Sequence, residues 1–95
     1  MITYEDFVRI ASDHNRVVGI SKEQYEHYLT QRCYCCGTDE RVGLGLRRPL
    51  GPYDFDNVFP ACVICVVMQG QMSLVDFLEH ARKITLSRAN YSALR

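Results

Sequence analysis

The chain has 95 residues, 47% of them apolar and 23% charged, enough burial capacity for one small domain and too little net charge for intrinsic disorder. Eleven bases balance eleven acids, which argues against a protein that works mainly by coating a phosphate backbone. The balance is uneven: residues 1–40 carry four bases and seven acids, residues 41–95 seven bases and four acids. No apolar run approaches the ~18 residues of a membrane span, and the start, Met1-Ile2-Thr3-Tyr4-Glu5-Asp6, lacks the pattern of a secretory signal. An intracellular, reducing setting is the expectation, with one domain over 1–95.

Helix starts punctuate the chain. Ile2-Thr3 before Phe7, Ile20-Ser21 before Tyr25 and Met72-Ser73 before Phe77 each place an apolar residue, a hydroxyl N-cap and an aromatic at N4. That is a hydrophobic staple, with Gln24 completing a capping box and Asp6 and Asp76 as acidic partners at N3. Three helices are predicted, the first within an N-terminal extension over 1–20. In the last, Leu74, Phe77, Leu78, Ala81 and Ile84 share a face that reads as core, followed by a C-terminal tail over 87–95.

Between the second and third helices lie five cysteines, a number that complete internal pairing cannot satisfy. Four form two C-x-x-C pairs, Cys33/Cys36 and Cys62/Cys65. Two such turns converging on one ion give a closed tetrahedral Cys₄ site for one structural Zn²⁺; burial as small hydrophobes, or a redox dithiol, is the competing reading. Cys35, adjacent to Cys36, reads as a non-ligand, and His14, His27 and His80 as solvated helix residues.

Glycines and prolines break the intervening segment into two apolar runs, Val42 to Leu46 and Asn57 to Phe59, an irregular β-hairpin. The order helix, knuckle, hairpin, knuckle, helix is that of a treble-clef zinc finger, an α+β fold, spanning 21–86. Four thiolates on Zn²⁺ leave a net −2, which Arg32, Arg41, Arg47 and Arg48 are placed to offset.

These residues resemble the HNH-like (His-Me finger) endonuclease domains of phages and large DNA viruses. The resemblance runs from Ser21 to Ile84 through Cys33-Tyr34-Cys35-Cys36-Gly37, Gly45-Leu46-Arg47-Arg48, Tyr53, and Asn57-Val58-Phe59-Pro60-Ala61-Cys62-Val63-Ile64-Cys65, and closes on Met68-Gln69-Gly70. It implies a nucleic-acid substrate, a hydrolytic metal, and a His or Asp beside the hairpin Arg. It further implies an Asn after the last cysteine and then a Lys. Here those positions hold Arg47, Val66 and Gln69, which supply neither an anionic metal ligand nor a base.

The expectation is therefore a non-catalytic zinc module binding a protein or nucleic acid through Arg47, Arg48, Val66, Val67 and Gln69. A metal-dependent nuclease acting through Asp54 or Asp56, and a structural subunit of a larger assembly, are the alternatives. Val66 and Val67 read equally as a contact patch or as core.

Overall fold

The computed structural model describes residues 2–93 and, within the last helix, side chains up to residue 90. The fold is α+β: α1 (Tyr4–Asp13), α2 (Lys22–Leu29), β1 (Val42–Leu46), β2 (Val58–Cys62), α3 (Val63–Gln69) and α4 (Leu74–Ala93). No helix among the described residues is long and apolar enough to cross a membrane.

The caps form as the sequence predicts. Thr3 Oγ1 accepts the Asp6 N–H, Ser21 and Gln24 close a reciprocal capping box, and Ser73 Oγ accepts the Asp76 N–H. Each satisfies backbone donors that a helix start leaves unpaired. The aromatics behind them gather: the Phe7 ring stacks on Tyr25 at 4.9 Å and meets Tyr53 edge-on at 4.9 Å. The Tyr4 and Tyr25 hydroxyls donate to the carbonyls of Ile20 and Ile2.

The antiparallel hairpin runs in register from Val42 opposite Cys62 to Leu46 opposite Val58. Alternation gives it two faces. Val58, with Leu44 and Leu46, joins the Phe7–Ile20–Tyr25 cluster, whereas Phe59 and Ala61 join the cluster of Cys33, Cys62, Cys65, Leu74 and Phe77. Gly45 is what lets the second face close, since a Cβ there would lie 2.6 Å from Phe59 Cζ. Phe59 is 2% exposed, so its ring has no room to retreat, and Gly45→Ala is expected to lower the unfolding free energy by about 1–3 kcal/mol in denaturant titration.

Three expectations need correction. The second strand is Val58–Cys62, not Asn57 to Phe59: Asn57 is wholly buried, and its side chain is bonded to the backbone of Arg48 and Pro52 in the preceding loop. Ile84 is not core. Leu74 and Phe77 are buried and Leu78 and Ala81 half-buried, but residues 82–90 are all exposed and Ile84 retains 51% of its surface. The apolar stripe outlasts the body available to cover it, in a molecule measuring 52 × 25 × 20 Å. Finally, α4 continues to Ala93, so residues 87–93 are helical; residues 94–95 lie outside the described part.

Candidate metal centre

The first knuckle is a turn closed by backbone bonds: Gly37 N–H donates to the Cys33 carbonyl at 2.9 Å and Cys33 N–H to the Thr38 carbonyl at 2.8 Å. Gly37 has φ +80°, a left-handed conformation costly to any residue with a Cβ. The second knuckle is the junction of β2 and α3, where Cys62 is the N-cap of α3 and its Sγ accepts the Cys65 N–H at 3.4 Å.

Together they bring the Sγ atoms of Cys33, Cys36, Cys62 and Cys65 within 4.8 Å of one another, the one such metal-ligating group among the described residues. Cys33, Cys62 and Cys65 are buried and Cys36 is exposed. The Cys36–Cys62 separation of 3.7 Å matches the edge of about 3.8 Å expected of a tetrahedron with metal–sulfur bonds of ~2.3 Å. The cluster fits a metal ion.

Electrostatics favour the same conclusion. Burial alone raises the Cys33 thiol, but the backbone N–H groups of Cys62, Cys36 and Cys35 outweigh it and bring Cys33 down to about 6. Burial first, then the thiols of Cys62, Cys33 and Cys36, push Cys65 well up. At Cys36 the lowering by the Thr38 backbone is outweighed by desolvation and the Cys62 and Cys33 sulfurs, and its thiol also ends above the ordinary value. Crowded sulfurs thus form one thiolate readily and resist more, a conflict that a bound dication removes by stabilising them all.

Cys35 stands outside the four-sulfur group, half-buried against the core cluster that contains Cys33 and Cys65. Cys35→Ser is expected to leave one metal ion per chain, whereas Cys36→Ser lowers occupancy; metal analysis after dialysis checks both. His14, His27 and His80 are exposed, and His14 caps the end of α1 instead of lying within it.

The expected partner surface is only partly assembled. Arg47 and Arg48 are exposed, but the Arg47 guanidinium lies over the Tyr34 and Phe59 rings, 5.8 Å from each centroid. Val66 retains 38% and Val67 73% of its surface, so neither valine is core. Gln69 must be removed from the surface: it is buried, and its amide donates to the carbonyls of Leu46 at 2.8 Å and Met72 at 3.0 Å. It ties β1 to the turn before α4. Of the arginines expected to offset the centre, Arg32 donates to the Gly37 carbonyl at 3.2 Å, and Arg41 lies beside Cys62 on a shared groove.

Val66 lines a cleft of about 150 Å³ between β1 and α3, with Leu44, Leu46, Tyr53 and Arg16. Arg16 had no signal in the sequence, because its partners are the backbone carbonyls of Pro49 and Gly51, more than thirty residues on. No carboxylate, imidazole or thiol lines this cleft among the described residues.

No protein-family model, curated protein or solved structure matches this chain.

Proposed function

We propose that the chain is a treble-clef module held together by one Zn²⁺ on Cys33, Cys36, Cys62 and Cys65, nuclease-like in derivation, which binds a protein without hydrolysing nucleic acid. The convergence of the four sulfurs carries the first half of this reading; tetrahedral all-sulfur coordination suits zinc, and with no position left for water it is structural.

The lining of the β1–α3 cleft supports the second half. Water activation by a metal needs oxygen or imidazole ligands and a base; this cleft offers an aliphatic Val66, a Gln69 whose amide N–H groups are already bonded, and a guanidinium. Protein is favoured over nucleic acid by α3 itself, where Ile64, Val67 and Met68 are 64%, 73% and 58% exposed. Contiguous exposed apolar surface marks protein contact.

With Mg²⁺ or Mn²⁺ the zinc-loaded protein is expected to leave single- and double-stranded DNA intact at any incubation time that keeps controls intact. Reproducible cleavage abolished by Asp54→Ala and Asp56→Ala would overturn the reading. Duplex DNA titrated at increasing salt separates the remaining case: phosphate-led binding falls with a log–log slope of about −0.9 per contact, and Arg47→Ala with Arg48→Ala would reduce that slope.

A further inference from the structure

One loop is held with unusual care for a segment that ends in an exposed leucine. After β1, the Asn57 amide bonds the N–H and carbonyl of Arg48 and the carbonyl of Pro52, while Arg16 donates to the carbonyls of Pro49 and Gly51. Every residue from 48 to 52 except Leu50 is thus tied through its backbone by a side chain. Leu50 is 86% exposed, the most exposed large apolar side chain among the described residues. A projecting side chain on a pre-ordered loop loses little entropy on binding.

The complementary feature lies at the other end of the hairpin. Ile64 and Met68 of α3, Leu78 and Ala81 of α4 and three of the four clustered cysteines line an apolar groove of about 360 Å³. The groove adjoins the Cys62 end of the strands, whereas the loop follows Leu46 opposite Val58. The four steps from Val42 to Leu46, at ~3.3 Å each, separate them by roughly 13 Å, and Leu50 is not among the residues that line the groove of its own chain.

Charge agrees with this pairing. Arg48, exposed and in no ion pair among the described residues, flanks Leu50. On the groove Glu40 and Arg41 cancel, leaving the sulfur cluster as the local charge, negative with four thiolates on a dication.

We propose that the occupant of the α3–α4 groove is the Leu50 loop of a second copy of this chain. This rests on the reading of α3 as a protein-binding face. A knob and a hole on different surfaces make the contact heterologous, giving a ring or an open chain instead of a twofold dimer.

Sedimentation of the zinc-loaded protein tests this with two variants at exposed positions, Leu50→Asp in the loop and Met68→Glu in the groove. Wild type is expected to grow beyond a dimer as concentration rises. Each variant alone is expected to lose at least about a hundredfold in association and to sediment as a monomer, with zinc content and circular dichroism unchanged. Mixed, they are expected to form a one-to-one complex, because the intact loop of one fits the intact groove of the other. A monomeric wild type, association indifferent to either variant, or a mixture that stays monomeric would overturn the proposal. None of these results alters the zinc assignment or the expected lack of cleavage, so the two readings fail separately.

Discussion

Removing the metal with a chelator is expected to unfold the chain outright, with loss of the tertiary circular dichroism signal and of chemical-shift dispersion. Three of the four sulfurs belong to residues of the core cluster, packed with Phe59, Ala61, Leu74 and Phe77. The residues that would hold the metal are thus also part of the core. A structural zinc contributes on the order of 10 kcal/mol, comparable to the whole stability of a small domain. Cys62→Ser is expected to reproduce the effect, since Cys62 also caps α3 and ends β2. Acid acts in the same direction. Protons compete with the metal for the four thiolates, so zinc is expected to be released, and the fold lost with it, as pH falls. A chelated protein that keeps its dispersion would show that the core stands without metal.

Asn57→Ala is expected to be the most damaging substitution away from the cysteines, at about 2–4 kcal/mol. The side chain is 0% exposed and makes bonds of 2.9, 3.1 and 3.0 Å to Arg48 N, Arg48 O and Pro52 O. Truncation leaves the Arg48 N–H and the Pro52 carbonyl without partners, at ~1–3 kcal/mol for each group that water does not reach, while the Arg48 carbonyl keeps the Gly51 N–H at 2.9 Å. For a domain of this size that lowers Tm by roughly 10–25 °C. Asn57→Asp is expected to do no better, because a carboxylate still accepts from Arg48 N but faces two carbonyls where the amide donated. Thermal unfolding of the zinc-loaded variants checks both, and a loss under about 1 kcal/mol in either would contradict this role.

Local features were legible in the sequence, and features set by distant packing were not. The hydroxyl caps at Thr3, Ser21 and Ser73 and the aromatics at N4 act within one helical turn, so spacing reveals them. The two C-x-x-C pairs carried the four-sulfur cluster equally plainly, because each places two sulfurs on one turn. Gln69 misled: it occupies a position that the nuclease resemblance assigns to substrate, but its amide is committed to Leu46, 23 residues earlier. Ile84 misled differently. Its period is that of a core residue, and periodicity does not say where the supporting body ends. Arg16 and Asn57 act on backbone carbonyls, which no residue pattern marks. The exposed face of α3 did have a signal, since five of its seven residues, Val63, Ile64, Val66, Val67 and Met68, are large apolar side chains and none of them is buried.

X-ray absorption at the zinc edge of the purified protein reads the coordination shell itself. One equivalent of zinc with a single shell of four sulfurs at about 2.3 Å, unchanged by Cys35→Ser and disrupted by Cys36→Ser, is expected of a closed Cys₄ site. A shell containing nitrogen or oxygen, fewer than four sulfurs, or no zinc retained would contradict it.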